Sequence, residues 1–324
     1  MKPLAMHMSL SQWGLLLLLA VLWGGSFMFV GIAVRELPSL TIVLLRVALA
    51  AALLVPLAYG LGHRLPSTLT AWQPFFVMAI LNNVIPFSLI VTGQREIASG
   101  LASVLNATTP VFALLVAYMI GGEPLRANKL LGVLLGIAGV AVLVGPEAIF
   151  GRTSNLLGML CLLGAALSYG CSGWWGRRFR NNPPLVTSAA QLLCSTAMLL
   201  PFAALVDRPW TLPMPSFETI GAIVALAVLS TALAYVVFFR IMAVSGTMNV
   251  MLVTLLIPAF AIPMGAWWFA EILQMRHFLG TAVIGLSLLV IDGRMSLSRA
   301  AAGEIGATAP PKTDRAQTGR PHLP

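Results

Sequence analysis

Apolar stretches about twenty residues long recur along this 324-residue chain, each long enough to cross the hydrocarbon core of a bilayer as one helix. They fall near 13–33, 39–60, 74–94, 99–120, 128–145, 155–176, 185–206, 217–239, 247–269 and 275–292. With no water in that core, only helices or closed barrels satisfy their own backbone. Barrel strands would alternate apolar and polar residues, whereas these runs are continuous. Charged residues make up only 9% of the chain, against roughly 25% in a soluble domain. Too few charges remain to cover a water-facing surface. The expected fold is an all-α membrane protein of ten transmembrane helices.

The net charge is +9. If the chain starts inside the cell, thirteen of the nineteen basic residues fall in cytoplasmic segments, five on the opposite side, and Arg46 within a span. That asymmetry follows the positive-inside rule, so both termini are expected in the cytoplasm of a multi-pass protein of the cell (inner) membrane. The basic excess sets orientation, and nucleic acid is not an expected partner. The run 14–22 continues through Trp23 to Ala33 without a small-residue cleavage site, so it reads as the first helix rather than a secretory signal.

Several chemistries lack their residues. Cys161, Cys171 and Cys194 fall inside predicted helices without metal-type spacing. The histidines, at 7, 63, 277 and 322, lie outside the spans or at the edge of one, and no HExxH or GxxxxGK[ST] motif occurs. No catalytic residue, metal or cofactor is expected, and the chain does not read as an enzyme. The expected partners are a small-molecule substrate and the lipid bilayer, with the chain a monomer or a homodimer.

A repeat organises the sequence. Pro110, Glu123, Gly132 and Gly145 recur 148 positions later as Pro258, Glu271, Gly280 and Gly293. Trp23, Gly24 and Ser26 return 146 positions later as Tyr169, Gly170 and Ser172; Arg46 and Pro56 align with Gln191 and Pro201 at a shift of 145. Five helices per half is an odd number, so the second half enters from the opposite side. Ten helices in two inverted five-helix repeats is a plan recurrent among secondary transporters, whose site lies near the midplane between the halves. The expected boundaries are a cytoplasmic N-terminus over 1–12, a first repeat over 13–145, a linker over 146–154 and a second repeat over 155–293. A disordered cytoplasmic tail is expected over 294–324, rich in Ala, Gly, Pro and Thr.

The segment 22–49, LWGGSFMFVGIAVRELPSLTIVLLRVAL, resembles the opening of the EamA-type transporters of the drug/metabolite transporter superfamily. So does 98–145, ASGLASVLNATTPVFALLVAYMIGGEPLRANKLLGVLLGIAGVAVLVG, and 234–293 repeats the pattern. The resemblance covers nearly all of 13–293. It implies two EamA repeats, amino acids or other small metabolites as substrates, and frequently export. Two positions depart from the pattern. Gly31 stands where many members carry Lys, and Ile257 where many carry Glu. Both departures remove charge from the expected pathway.

Candidate site residues follow from polarity at membrane depth. Pro110 and Pro258 are expected to kink the fourth and ninth helices and to free the carbonyls of Asn106 and Thr254. Ser99, Ser103, Asn106 and Pro110 share one helix face, matched in the other half by Thr247, Met251, Thr254 and Pro258. These faces either oppose each other across a translocation path or are small-residue packing faces. Asn82 and Asn83 sit mid-membrane about 100° apart, so one of them, taken as Asn83, is expected to face a cavity. Trp23 with Ser26, and Tyr169 with Ser172, offer an aromatic surface beside a hydroxyl, or else fill the core. Tyr235 joins the substrate-binding set. Arg46 is the one charge away from the ends of a span. It is a candidate anion contact, or a structural cation bonded to backbone or snorkelling to an interface. Glu123 and Glu271 read as acids at the N-terminal ends of the following helices. Gly132, Gly136 and Gly139 read as close helix packing.

The functional expectation is a secondary transporter exporting small metabolites, amino acids or related compounds, by alternating access. The alternatives are a passive channel, a multipass membrane enzyme or a scaffold.

Overall fold

The computed structural model describes residues 10–122, 127–150, 155–179, 181–238, 240–241, 253–270 and 274–292. Glu123, Thr247, Met251, Glu271 and the tail over 294–324 lie outside the described residues. All regular structure among those described is helical. The helices are α1 (Leu10–Ala33), α2 (Ser39–Gly60), α3 (Leu69–Gly93), α4 (Ser99–Met119), α5 (Ala127–Phe150), α6 (Asn155–Phe179), α7 (Pro184–Val206), α8 (Phe217–Phe238), α9 (Val253–Phe269) and α10 (Met275–Asp292). Seven of them, α1–α4 and α6–α8, are long and apolar enough to cross a membrane, and shorter apolar helices occupy Leu130–Val142 and Leu256–Phe269. The expectation of ten spans thus exceeds the seven that length and composition establish among the described residues.

Local chemistry sets the helix ends. Thr68 and Ser216 cap α3 and α8, each side chain accepting a backbone N–H three residues on. Pro184 opens α7, where its missing N–H costs nothing. Gly62, at φ +80°, ends α2, and the His63 N–H closes back onto the Ala58 carbonyl at 2.9 Å. Large apolar side chains such as Leu17, Leu53, Leu157 and Phe202 stay exposed around the outside, the surface a bilayer would cover.

Neither set of five helices packs alone. The closest pairs are α5 with α10, α2 with α7, and α1 with α9, followed by α6 with α4 and α6 with α3. Exchanging each helix for its repeat counterpart turns α1–α9 into α6–α4, and α3–α6 into α8–α1, both of which occur. The main hydrophobic cluster accordingly joins Phe27, Val104 and Leu105 to Leu162, Ile257 and Ala261.

Glycine permits the closest of these approaches. A β-carbon on Gly24 would stand 2.9 Å from Phe260 Cβ and 3.2 Å from the Ala261 nitrogen. One on Gly170 would stand 2.9 Å from backbone atoms of Phe112 and Ala113. These are the same contact made twice, since Gly24 pairs with Gly170 in the repeat and Phe260–Ala261 with Phe112–Ala113. Gly139 likewise meets backbone atoms of Ile284 and Gly280, so this part of the glycine stripe of α5 packs within the chain.

At one rim, polar contacts tie the two sets together. Asp207 accepts from the Thr41 N–H at 2.7 Å and the Thr41 hydroxyl at 2.9 Å, capping α2 from the end of α7. Within the first set, Arg95 donates to the Leu37 carbonyl and, at 3.0 Å, to the Ser39 hydroxyl. Glu36 accepts from the Ser216 N–H at 2.7 Å and its hydroxyl at 2.6 Å, which holds the Glu36 carboxyl below the ordinary glutamate value of 4.5.

Overpacking a tight helix contact costs about 1–3 kcal/mol. Gly170→Val should therefore lower the unfolding temperature in detergent by several degrees. Gly173→Ala, one turn on with open space at its β-carbon, should not. Because the Glu36 pKa is depressed on folding, its contribution is present above 4.5 and lost as the pH falls through the folded value. Glu36→Gln should be less stable than the parent at pH 7, with the difference shrinking as the pH falls below 4.5, read by thermal unfolding across the acid range.

Candidate functional site

Two departures from regular helix lie at matched places. α3 widens into a π-turn over Ile80–Val84, and α8 over Val228–Leu233, starting 148 positions later. Such turns lengthen the backbone hydrogen-bond ring and occur frequently at functional sites. Side chains satisfy the backbone around them. The Ser168 hydroxyl donates to the Leu81 carbonyl at 2.7 Å, Thr231 to the Leu226 carbonyl at 2.9 Å, and Ser230 to the Leu22 carbonyl at 2.6 Å.

The first π-turn carries Asn82 and Asn83 into one network with α6, α7 and α8. The Tyr235 hydroxyl donates to Asn83 Oδ1 at 3.1 Å and accepts from Asn82 Nδ2 at 3.4 Å. Asn82 Nδ2 also donates to Gln191 Oε1 at 3.2 Å, and Asn83 Nδ2 to the Ser195 hydroxyl at 2.9 Å. Ser172 Oγ lies 3.1 Å from Asn82 Oδ1 and 2.9 Å from the Tyr169 carbonyl, with one proton to share. Tyr235 thus reaches both amides. Asn83 and Ser195 are fully buried, while Asn82, Tyr169 and Tyr235 keep partial exposure.

Arg46 lies beside this network, 6% exposed. Its Nε donates to the Thr231 hydroxyl at 2.9 Å, and its guanidinium stacks 3.7 Å from the centroid of Phe87. Tyr169 and Tyr235 lie within electrostatic reach. A cation at the bilayer centre costs about 2.5–3.5 kcal/mol on insertion scales. A desolvated cation–π contact returns about 2 kcal/mol, and a hydrogen bond from a charged group about 1.5–3. The two contacts are therefore sufficient to hold Arg46 without a carboxylate, and none of the described Asp or Glu residues pairs with it. Gln191, its repeat counterpart, makes the corresponding contact: Arg46 bonds to the π-turn of α8, and Gln191 to the π-turn of α3.

Other expected site residues lie apart from these hydrogen bonds. Ser26 donates to the Trp23 carbonyl at 2.6 Å, repeating the Ser172–Tyr169 bond, and Trp23 stacks at 5.6 Å on Phe238. Tyr169 and Trp23 each bridge two hydrophobic clusters. Ser103 is buried and donates to the Gly100 carbonyl within its own helix. Asn106 Oδ1 is buried and has no hydrogen-bond partner among the described residues. Thr254 is half-buried on α9, which packs against α4.

At Pro110 the regular helix is interrupted over Ala107–Thr108, and the expected free carbonyl is covered. The Asn106 carbonyl is not free, because the Thr109 hydroxyl donates to it at 2.7 Å; Thr108 covers the Leu105 carbonyl at 2.6 Å. α9 runs through Pro258 and Pro263 as one helix. Thr231, Ser195 and Phe87 were not singled out from sequence. The shift of 148 that pairs Asn83 with Thr231 and Phe87 with Tyr235 is the signal that marks two of them.

No group of three His, Cys, Asp or Glu residues suited to a metal occurs among the described residues. The arrangement offers amide and hydroxyl groups, aromatic faces and one cation, a set suited to holding a polar small molecule. Tyr235→Phe would leave Asn83 Oδ1 buried without its donor, a loss of about 1–3 kcal/mol. It should lower the unfolding temperature, whereas Tyr59→Phe, on an exposed ring, should leave it unchanged.

Residues 12–145 and 156–292 each match the EamA-like transporter family. Among curated relatives, the "Uncharacterized transporter YvbV" of Bacillus subtilis is 27% identical over 303 residues, covering 91% of this chain and 96% of that protein. The "Uncharacterized transporter YoaV" of the same organism is 23% identical, covering 82% and 90%. The "Probable amino-acid metabolite efflux pump" of Escherichia coli is 25% identical, covering 85% and 93%. A solved crystal structure aligns with a TM-score of 0.63 at 19% identity, over 90% of this chain and 98% of that one, a likeness of fold. The family and these relatives are transporters, not enzymes. With its two matching segments taking up most of its length, this chain is a multipass membrane protein that belongs to the EamA-like transporter family.

Proposed function

We propose that this protein is a secondary transporter that carries small metabolites, amino acids or related compounds, out of the cell by alternating access. In this reading ten helices form two inverted five-helix repeats, over 13–145 and 155–293, with both termini in the cytoplasm. The observation that carries it is the pair of π-turns at repeat-equivalent positions, each bonded to a polar side chain of the opposite set, Arg46 or Gln191. Inverted-repeat carriers hold their substrate between the halves on helices with interrupted backbone. The break at Ala107–Thr108 and the orphaned Asn106 Oδ1 fit the same pattern. Export as the direction, and amino-acid metabolites as the class, are supported by the printed description of the Escherichia coli relative.

The substrate-binding set comprises Trp23, Ser26, Asn83, Ser103, Asn106, Tyr169, Ser172, Tyr235 and Thr254, joined by Asn82 and Gln191. Reconstituted into liposomes, the protein should show saturable flux with counterflow for members of an amino-acid and metabolite panel. Linear, unsaturable flux would favour a channel instead. Asn106→Leu should reduce saturable flux about tenfold, the equivalent of one hydrogen bond of about 1.4 kcal/mol, with membrane insertion unchanged. Unaltered kinetics would remove Asn106 from the site.

A further inference from the structure

The central network is unequal in charge, and that inequality names a ligand chemistry. Arg46 and Gln191 occupy repeat-equivalent places on α2 and α7 and bond to opposite π-turns. One brings a permanent cation, the other a neutral amide. Arg46 is 6% exposed and has one hydrogen bond, through Nε, leaving the N–H groups on its terminal nitrogens available. Phe87 covers one face of the guanidinium and holds it in place. No described acidic side chain pairs with it. A planar, fixed guanidinium with free paired donors matches a carboxylate, which it can take through two parallel hydrogen bonds.

We infer that the site selects compounds carrying a single carboxylate, and that Arg46, fixed by Thr231 and Phe87, is the group that selects them. The inference rests on the carrier reading above and sharpens it. One cation opposite a neutral glutamine balances one negative charge, so a monoanionic head is favoured over a dianionic one. The network of Asn82, Asn83, Tyr235 and Gln191, whose groups bond to one another, lies beside Arg46 and borders the rest of the ligand. Arg46 also repels a net cation, which excludes amine ligands lacking an acid.

The test uses the full chain in liposomes at pH 7.5, where every probe holds its charge. Pairs differing only at the head group are compared across aliphatic and aromatic side chains: N-acetyl-L-leucine with N-acetyl-L-leucinamide, and N-acetyl-L-phenylalanine with its amide, alongside the free amino acids and organic acids. The carboxylate member of each pair should show at least about tenfold higher apparent affinity. Arg46→Gln, which makes the site match its own repeat, should bring the pair within about twofold, and Arg46→Lys should keep part of the preference. Equal affinity for carboxylate and amide in the parent protein would overturn the inference while leaving the carrier reading intact, as would a phosphate monoester of similar size outcompeting the carboxylate. So would an undiminished tenfold preference in Arg46→Gln. Absence of saturable flux for every probe would remove the carrier reading and this inference with it. The comparison within the parent protein needs no variant to fold.

Discussion

A peptide group inside hydrocarbon has no water to bond, so every departure from regular helix must be satisfied by the protein itself. That constraint explains why the irregular backbone of this chain lies where its polar side chains lie. The π-turns of α3 and α8 and the break in α4 each disturb the regular ladder, and Ser168, Thr231, Thr108 and Thr109 donate to carbonyls there. Hydroxyl side chains in these helices are therefore part of the backbone's own accounting. Amides and a cation are then carried at the same depth, because the local surroundings are already polar. Asn82, Asn83, Gln191, Tyr235 and Arg46 converge there, and each finds a hydrogen-bond partner.

Packing between the two sets of helices sets the geometry of that centre. Helix association in a membrane relies on close contact rather than on exclusion of water, so small residues decide where backbones meet. Gly24 and Gly170 bring α1 onto α9 and α6 onto α4. The hydrophobic clusters draw on both sets throughout. As a result the polar network is shared between the two sets: Asn82 with Gln191, Asn83 with Ser195 and Tyr235, Arg46 with Thr231. Any displacement between the sets changes these distances, which couples this polar network to the global arrangement of helices. The rim contacts of Glu36 with Ser216 and of Asp207 with Thr41 hold the same two sets together at one end.

Much of this was legible in the sequence for a definite reason. Apolar run length reports helix length directly, so both ends of α2 and the start of α10 fall where the runs do. The fixed shift of 146 paired Trp23 with Tyr169 and Gly24 with Gly170, and the structure gives both pairs the same contacts. The misses share a cause as well. Proline predicts a lost hydrogen bond but not its remedy: at Pro110 two threonine hydroxyls allow a break, whereas α9 passes Pro258 unbroken. Around Asn82 and Asn83 a π-turn changes the regular helical spacing, which no residue type announces. Thr231 and Ser195 look like ordinary small helix residues until the helix facing them is known.

The sequence by itself determined the solvent of this protein, its helical class, its twofold internal plan and the presence of one charge at membrane depth. These are properties of composition and order along the chain, and lipid leaves the backbone no other choice. Tertiary structure decided what that charge touches, which amides meet and where the helices depart from regularity. Such contacts join residues as far apart in the chain as Arg46 and Thr231, and they depend on how closely two glycines let their helices approach. No periodicity within a single helix carries that information.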